Sequence, residues 1–193
     1  DMEELKLIRI SDIQKNPYQP RKEFSKEKIQ ELAQSIKENG LIQPIIVRQS
    51  PVIGYEILAG ERRYRASIAA GLSEVPVIIK KLSDQDMMVH SIIENLQRED
   101  LNPIEEAKAY QSLIEKGYTH ADIAAKMGKS RPYITNLVRL LTLPDFILTE
   151  VETGKLSQAH ARLLIQLSTD EQKKLLYRIQ TEDLSVRQVE HLL

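Results

Sequence analysis

Apolar residues recur along this chain with two different periods, and the change of period divides it into two halves. Four short runs in the first half have the apolar and β-branched character of strands, and they lie at residues 5–10, 45–47, 55–58 and 75–79. The first of these runs alternates apolar and basic side chains for much of its length, as a half-buried strand does. Segments with helical spacing lie between or after the runs, at residues 26–39, 61–70 and 84–98. Strands mixed with helices in this way predict an α/β domain.

The second half of the chain carries helical patterns only. Pro103 suits the first turn of a helix that extends to about residue 116. Six shorter helical segments follow, each with a start or stop signal, at residues 119–128, 130–141, 145–152, 157–167, 170–181 and 185–193. We therefore predict an α+β protein, in which an α/β domain of residues 1–100 precedes an all-α domain of residues 101–193.

Two of the predicted helices, joined by a tight turn, have the spacing of a helix-turn-helix at about residues 119–141. The apolar positions that would pack these helices together are Ile123, Ala124, Ile134 and Leu137, and Gly128 suits the turn. The second helix of such a motif enters the DNA major groove with its N-terminal residues. The polar residues available there are Ser130, Arg131, Tyr133, Thr135 and Asn136. An ordinary helical hairpin also favours Ala and Gly here, but the clustered polar face favours DNA binding.

The charge distribution supports this interpretation, although the total charge does not. The chain has 27 Lys and Arg residues against 28 Asp and Glu, for a net charge of -1, and a nucleic-acid binder usually has a basic surface. Residues 119–143 nevertheless contain Lys126, Lys129, Arg131 and Arg139 against Asp122 alone. Because so small a basic excess neutralises few phosphates, we expect modest non-specific affinity and a reliance on sequence reading.

Composition excludes several classes of site. The chain has no cysteine, which excludes disulfides, thiolate metal sites and a cysteine nucleophile, and which agrees with a reducing cytosol. No apolar run approaches the roughly 18 residues of a membrane span, so we expect no membrane partner. The chain begins at Asp1 and its last residues still have helical spacing, so we expect it to be part of a longer protein.

A candidate anion site begins at Gly60, where the sequence Gly60-Glu61-Arg62-Arg63-Tyr64-Arg65 follows an apolar strand and opens a helix. Glycine lets a ligand approach the backbone closely, the helix N-terminus offers free N–H groups, and the arginines offer forked donors to phosphate oxygens. Phosphates would repel Glu61 unless a metal or an arginine offsets its charge. A solvated, arginine-rich helix is the alternative, and spacing alone leaves the two open.

Two further polar clusters are less specific. Glu94 and Asn95 offer hard oxygen ligands suited to Mg²⁺, and Arg98 could reach a phosphate, but residue types alone favour a solvated helix end. The other cluster is the basic and polar segment at residues 155–162, whose helix N-terminus would suit a phosphate. A solvated helix start explains that segment equally well.

Three motifs and the helix-turn-helix, taken together and in this order, resemble the ParB chromosome-partitioning proteins of the chromosomal Firmicute type. The motifs are Asn16-Pro17-Tyr18-Gln19-Pro20-Arg21, Gly60-Glu61-Arg62-Arg63-Tyr64-Arg65-Ala66 and Glu94-Asn95-Leu96-Gln97-Arg98-Glu99-Asp100-Leu101-Asn102-Pro103. Each is weak alone, but the combination is specific and covers essentially the whole chain. The resemblance implies a ParB- and sulfiredoxin-like nucleotide-binding domain followed by a helix-turn-helix domain.

For function, the resemblance implies that the first domain binds CTP with Mg²⁺ and hydrolyses it slowly. It implies that the helix-turn-helix domain binds the palindromic, centromere-like DNA site parS. Family members load at parS as homodimers, close into a sliding clamp with CTP, and spread along the DNA in the cytoplasm, at the nucleoid. They work with a ParA-type ATPase and with the SMC condensin. We expect the family's C-terminal dimerisation domain and its ParA-contacting N-terminal extension to lie outside these 193 residues.

The resemblance also implies which residues bind the nucleotide. The residues that match the triphosphate motif are Gly60, Glu61, Arg62, Arg63 and Arg65. The residues that match the second phosphate and metal motif are Glu94, Asn95 and Arg98, with Glu94 and Asn95 as metal ligands. The region that cradles cytidine matches Gln19, Arg21 and the turn of Gly40, Leu41, Ile42, Gln43 and Pro44. The family assigns Glu61 and Asn95 to hydrolysis and clamp closure.

For DNA, the family's recognition helix matches Lys129, Ser130, Arg131, Tyr133, Thr135 and Asn136, and Arg139 is a further candidate in the same basic segment. His160 and Arg162 match positions of additional parS contacts. Gln158-Ala159 departs from the Gly-His form associated with that position, but the match favours DNA binding at residues 155–162 over a solvated helix start.

Three alternatives share part of this pattern. A nucleoid-occlusion relative would use CTP but would bind another DNA site and carry a membrane-binding N-terminal helix, of which residues 1–4 show no sign, and Ser130-Arg131-Pro132 is more similar to ParB. Among metabolic enzymes on the same fold, the lack of cysteine excludes a sulfiredoxin-like reductase, and the helix-turn-helix argues against a serine kinase. The third alternative, a transcription repressor with a structural N-terminal domain, is not excluded by the sequence.

Overall fold

The first part of the chain folds as a mixed sheet with helices in the computed structural model, which describes residues 3–18 and 24–193. Its strands are β1 (Glu3–Arg9), β2 (Ile13–Gln14), β3 (Ile45–Gln49), β4 (Tyr55–Ala59) and β5 (Glu74–Lys80). Its helices are α1 (Lys26–Asn39), α2 (Glu61–Ala69) and α3 (Asp84–Leu96), and a 3₁₀ turn at Ile10–Asp12 joins β1 to β2. The strand order is β1-β5-β3-β4-β2, with β3 parallel to β5 and antiparallel to β4.

The second part of the chain is helical throughout its described length. Its helices are α4 (Pro103–Glu115), α5 (His120–Met127), α6 (Arg131–Leu140), α7 (Asp145–Glu152), α8 (Gln158–Leu164), α9 (Thr169–Glu182) and α10 (Val186–Leu192). The predicted fold class, a mixed α/β part followed by a helical part, is confirmed. Packing divides the chain into Asp1–Ser91 and Ile92–Leu193, a division that falls inside α3. The domain limits at residues 1–100 and 101–193 stay predictions, because packing density alone does not show which segments fold independently.

One face of the sheet forms an apolar core under α1 and α2. Alternate strand residues point to the same face, and the buried ones on this face are Ile8, Ile13, Ile45, Val47, Ile57, Val75 and Val77. A second cluster joins α1 to α2 through Ala33, Ile36 and Ala66, and Leu41 and Leu72 pack against both clusters. The two small alanines let α1 and α2 approach each other closely. Leu41 and Leu72, which contact both clusters, hold this helix pair against the sheet.

The opposite face of the sheet carries a buried ion pair. Arg48 on β3 and Glu56 on β4 lie directly opposite each other and are only 2% and 8% exposed. The guanidinium Nη2 lies 2.6 Å from Glu56 Oε1 and 2.8 Å from Asp84 Oδ1, and Nη1 donates to the Leu82 carbonyl at 3.3 Å. Because Asp84 is the first residue of α3, Arg48 ties the start of that helix to the sheet.

Strand β1 exists as predicted, but its burial does not follow the predicted half-buried pattern. Leu5 and Leu7 are 71% and 59% exposed, and Ile8 is the residue of this strand that is buried. β1 lies at the edge of the sheet and pairs with β5 on one side. Leu5 and Leu7 point to the face opposite that of Ile8, so the alternation shows which residues share a face but not whether that face is covered.

The helical part has its own core. The largest fully buried side chains of α4, α5 and α6 are Tyr110, Ile104, Leu113, Ile123, Ile134, Leu137 and Leu140. Helix α4 packs against α6 and α7, and α6 also packs against α5 and α8. Ile123, Ala124, Ile134 and Leu137 are all buried, which confirms their predicted packing role. Within the described residues, no helix is both long and apolar enough to cross a membrane.

We expect Glu56→Ala to lower the free energy of unfolding by about 3 kcal/mol, because it removes the buried carboxylate that pairs with Arg48 and leaves only the exposed carboxylate of Asp84 beside it. Glu56→Gln keeps an acceptor and should cost less. Glu182→Ala is the control, since it removes an exposed pair with Arg178 and should leave stability unchanged. Urea denaturation followed by circular dichroism measures all three, and equal stability of Glu56→Ala and the parent would contradict the role given to Arg48.

Candidate functional site

The N-terminus of α2 is built around a glycine in a left-handed conformation. Gly60 is the N-cap residue, with φ 104° and ψ 27°, a region that side-chain-bearing residues rarely adopt. A Cβ atom placed there would also lie 3.4 Å from the guanidinium carbon of Arg63. The first N–H groups of a helix have no acceptor within the helix, and Gly60 offers no side chain to cap them. This end of α2 therefore presents backbone N–H groups beside a guanidinium, which suits an anion.

Arg63 joins this helix end to the turn at residues 40–44. Its Nη1 donates to the Pro44 carbonyl at 2.5 Å. Gly40 ends α1 with φ 75°, and Leu41 packs into the core. Ile42 is 82% exposed and Gln43 is exposed beside it. The structure thus connects the predicted phosphate residues to the predicted base-contacting turn, although these segments are 19 residues apart.

The carboxylate of Glu61 is offset by an arginine, as its position among basic residues requires. Arg65 Nε donates to Glu61 Oε1 at 3.2 Å. The Arg65 guanidinium lies 4.6 Å from the ring centroid of Phe24, and that of Arg62 lies 5.9 Å from it. Arg62 is the exposed member of the three arginines. Phe24 belongs to no motif in the sequence, because it meets α2 only after folding.

Asn16 holds the start of its motif against α3. Its Nδ2 donates to Ser91 Oγ at 3.0 Å, and its Oδ1 accepts from the backbone N–H of Tyr18 at 2.9 Å. Ser91 is 2% exposed and donates to the Met87 carbonyl. Asn16 therefore orients the chain that leads into the rest of the motif. Gln19 and Arg21, the predicted nucleotide-contacting residues of that motif, lie outside the described residues.

The second predicted motif lies at the end of α3. Glu94 and Asn95 are partly exposed in its last turn. Adjacent helical side chains do not face each other, so Glu94 and Asn95 leave α3 in different directions. Arg98 forms ion pairs with Asp100 at 3.1 Å and Glu105 at 3.4 Å, so a phosphate would have to compete with both carboxylates. In the part of the chain that is described, no group of three or more His, Cys, Asp or Glu residues could hold a metal ion.

Helices α5 and α6 have the geometry of a helix-turn-helix. Gly128 ends α5 with φ 66° and ψ 32°, and the N–H of Lys129 donates to the Ala124 carbonyl at 3.0 Å. Ser130 caps α6 by accepting from the N–H of Tyr133, with a proline in the first turn as predicted. Arg131 and Arg139 are exposed on α6, Asn136 is partly exposed, and Lys129 is exposed in the turn before it.

Two of the polar residues predicted to contact DNA also have partners inside the protein. Tyr133 donates its hydroxyl to Glu106 Oε2 at 2.8 Å, and the ammonium of Lys129 lies 5.1 Å from the centroid of its ring. Thr135 Oγ1 lies 2.7 Å from Nδ1 of His120 on α5. Burial, reinforced by the Glu106 carboxylate, raises the pKa of Tyr133 to about 12. These hydroxyls join α6 to its neighbours, a use that their position in the sequence does not reveal.

His160 joins the start of α8 to the chain between α9 and α10. Its Nδ1 lies 2.6 Å from Ser157 Oγ, and its Nε2 lies 2.8 Å from the Leu184 carbonyl. A carbonyl accepts only, so Nε2 carries the proton and Nδ1 is the acceptor for the serine hydroxyl. Arg162, the other predicted contact of this segment, is exposed. Of the two residues, Arg162 is thus the side chain that is open to a ligand.

Comparisons with known proteins cover almost all of the chain. A family model described as the ParB N-terminal domain matches residues 1–96, and one described as the ParB HTH domain matches residues 99–193. The chromosome-partitioning protein Spo0J of Thermus thermophilus is 47% identical over 183 residues, which are 95% of this chain and 68% of that protein. The probable chromosome-partitioning protein ParB of Xylella fastidiosa strain 9a5c is 48% identical over 190 residues, 98% of this chain and 61% of that protein. The chain thus spans about two thirds of the length of these relatives.

A solved structure agrees with the chain over both parts. It is the C-terminally truncated chromosome-partitioning protein ParB from Caulobacter crescentus complexed to the centromeric parS site. It is 40% identical, covers 97% of each chain, and superposes with a TM-score of 0.75.

We expect Tyr133 to keep its proton well above pH 10. Its folded pKa of about 12 exceeds its ordinary value of 10.0, so the protonated hydroxyl stabilises the fold fully below pH 10, and this contribution is lost as the pH rises through about 12. Glu106→Gln removes the carboxylate charge that contributes to the shift. At about pH 11 this variant should therefore show more tyrosinate absorbance at 295 nm than the parent, by up to one tyrosine, because burial keeps Tyr110 protonated. Glu152→Gln, at an exposed position on α7, is the control, and parent-like absorbance of Glu106→Gln would refute the assignment.

Proposed function

Since the chain belongs to the ParB family of chromosome-partitioning proteins, we propose that it binds parS DNA through its helix-turn-helix and CTP at the N-terminus of α2. The observation that carries the proposal is the match of both parts of the chain to a ParB solved with parS. The nucleotide is assigned to α2 because one end of that helix is suited to an anion. DNA is assigned to α6 because that helix presents basic side chains at its start. Chromosome segregation is the process in which we place the protein.

For DNA, we propose that α6 is the recognition helix. Lys129 and Arg131 lie at its N-terminal end, the end that a helix-turn-helix presents to base edges, and Arg139 lies further along it. Arginine contacts guanine bidentately, whereas a lysine or arginine on the backbone supplies affinity without sequence information. We assign Ser130, Thr135 and Asn136 to polar contacts of the same surface, for which Thr135 would exchange its bond to His120. Arg162 would make a supplementary contact at α8, and His160 would have to exchange a partner inside the protein to join it.

The proposed nucleotide site is centred on the helix end at Gly60, which is suited to bind the triphosphate. Backbone N–H groups, the exposed Arg62 and the Pro44-bound Arg63 together offer donors to a triphosphate. The turn of Gly40, Leu41, Ile42 and Gln43 is connected to this end through Arg63, which supports a base-contacting role for it. The choice of cytosine rests on the family resemblance, together with Gln19 and Arg21.

For hydrolysis, we propose that Glu61 orients or deprotonates the attacking water. Arg65 donates to this carboxylate and so holds it near the phosphate-binding helix end. Glu94 and Asn95 would hold Mg²⁺, which supplies charge neutralisation at the phosphates when bound. Asn95 would further orient the reacting groups, and Arg98 would exchange its carboxylate partners for a phosphate.

At the level of the whole protein, we propose the behaviour of a homodimeric clamp. CTP and parS would each favour one arrangement of the two copies by contacting it better than the other, which is how two ligands become coupled. A ParA-type ATPase and the SMC condensin are the partners that the family implies. A DNA partner of this kind places the protein at the nucleoid, in the cytoplasm.

We expect Arg131→Ala to weaken parS binding by about tenfold or more, because a bidentate contact to a base is worth roughly 1–3 kcal/mol. Binding to a scrambled duplex should weaken much less. Arg187→Ala, an exposed arginine on α10, should change neither affinity. Fluorescence anisotropy at one fixed salt concentration measures both duplexes, and equal losses on parS and on the scrambled duplex would mean that Arg131 contacts phosphate only.

We expect the parent to hydrolyse CTP faster when parS DNA is added, and to prefer CTP among the four nucleotides. Arg63→Ala should abolish nucleotide binding and spreading while parS binding is retained, because Arg63 joins the phosphate and base segments. Arg9→Ala, a 74% exposed side chain of the same part of the chain, is the control.

Three outcomes would count against the nucleotide assignment. Turnover that is unaffected by parS, or equal with all four nucleotides, would exclude a CTP-dependent clamp. Unchanged spreading by Arg63→Ala would instead favour a repressor with a structural N-terminal part.

A further inference from the structure

A single carboxylate oxygen in the helical part accepts hydrogen bonds from two tyrosines. Glu106 lies on α4, and its Oε2 accepts from Tyr110 at 2.5 Å and from Tyr133 at 2.8 Å. Tyr110 is on the same helix, one turn further on, whereas Tyr133 is in the first turn of α6. The first bond is therefore local to α4, and the second joins α4 to the recognition helix of the proposed function.

The environment makes both bonds strong. Tyr110 is 1% exposed, and Tyr133 and Glu106 are partly buried. Hydrogen bonds to an ionised acceptor are roughly twice as strong as neutral ones. Among the ion pairs of the described residues none involves Glu106, so these two hydroxyls are the polar groups found to stabilise its charge. Burial and the carboxylate raise the pKa of both tyrosines, so both hydroxyls stay protonated donors even above pH 10.

The bond to Tyr133 acts on the part of α6 that would meet DNA. Tyr133 follows Arg131 by two residues, its N–H is capped by Ser130, and its ring carries the ammonium of Lys129. A hydrogen bond at this point restrains the rotation of α6 about its own axis and its distance from α4. Base-edge contacts tolerate displacements of only about 0.5 Å and rotations of about 10–20°, whereas contacts between flexible basic side chains and phosphates tolerate more.

We propose that Glu106 is a positioning residue for sequence reading, which orients the N-terminal turn of α6 through the Tyr133 hydroxyl. The inference rests on the proposed role of α6 as the recognition helix. In this arrangement the hydroxyl of Tyr133 donates its hydrogen bond to Glu106 and therefore not to DNA. Tyr133 thus changes from a candidate DNA contact to the link between α4 and α6.

The two tyrosines supply a matched pair of variants. Tyr133→Phe and Tyr110→Phe each remove one hydroxyl from the same carboxylate oxygen and keep the aromatic ring, so both should fold. The measurement is the ratio of the dissociation constants for a scrambled duplex and for parS, by fluorescence anisotropy at fixed salt. We expect Tyr133→Phe to reduce this ratio by about tenfold, equivalent to one base contact, with unchanged affinity for the scrambled duplex. Tyr110→Phe should keep the parent ratio.

Variants of Glu106 separate positioning from direct contact. Glu106→Gln keeps an acceptor and should retain the ratio to within about threefold, whereas Glu106→Ala should reduce it as much as Tyr133→Phe. The double variant of Glu106→Ala and Tyr133→Phe should lose no more than either single variant, because both remove the same bond. Thermal unfolding of each variant checks that the fold persists, and if Glu106→Ala does not fold, the pair of tyrosine variants decides.

Several results would overturn the inference. A ratio for Tyr133→Phe within twofold of the parent would do so, as would equal losses in Tyr133→Phe and Tyr110→Phe. A reduced ratio in Tyr133→Phe with a parent ratio in Glu106→Ala would show that the hydroxyl contacts DNA itself. Failure of the underlying function looks different, because the parent would then not distinguish parS from the scrambled duplex. If Arg131→Ala loses the parent's discrimination between parS and the scrambled duplex but Tyr133→Phe keeps it, the positioning role is wrong and the proposed function still stands.

Discussion

The unsatisfied N–H groups at the start of each helix are the constraint on which both candidate sites depend. A buried or ligand-free helix end must find acceptors outside the helix. Serine, threonine or asparagine side chains supply them at α1, α4, α5, α6, α8, α9 and α10. Helix α7 begins at Pro144 without such a cap, and α2 begins at Gly60, where there is no side chain and the guanidinium of Arg63 lies close by. Its N–H groups are thereby available to an anion, whereas α6, capped by Ser130, offers its side chains.

Local pairing of charges, and not the total charge, organises the rest of the molecule. The net charge of -1 says little about either site. In the sheet, Arg48 is surrounded by Glu56 and Asp84 and holds the start of α3. At α2, Arg65 offsets the one carboxylate among the arginines, and this leaves Arg62 open to a ligand. The charges of Arg48 and Glu61 are thus each neutralised within a few ångströms, as the cost of burying an unpaired charge requires.

Much of the fold could be predicted from the sequence, and the exceptions have a common cause. The helix ends agree with prediction to within about three residues, because capping residues such as Ser130 and Gly128 act on their immediate neighbours. The burial of Leu5 and Leu7 was predicted wrongly, because an edge strand and an inner strand can have the same alternation. At the candidate sites, residue types indicated the helix end at Gly60 and the basic start of α6, but not Phe24 or Glu106, which belong to no motif.

The sequence by itself determined the helices, the strands other than the short β2, the helix-turn-helix and the family, since all of these depend on residues within one or two turns of each other or on motifs read in order. The tertiary structure alone decided which polar groups are free to meet a ligand. Asn16 meets Ser91 75 residues away, and Glu106 meets Tyr133 27 residues away. A hydroxyl or amide is equally able to bind DNA, a nucleotide or its own protein. Its use is set by what folding places within about 3 Å of it, which spacing along the chain does not encode.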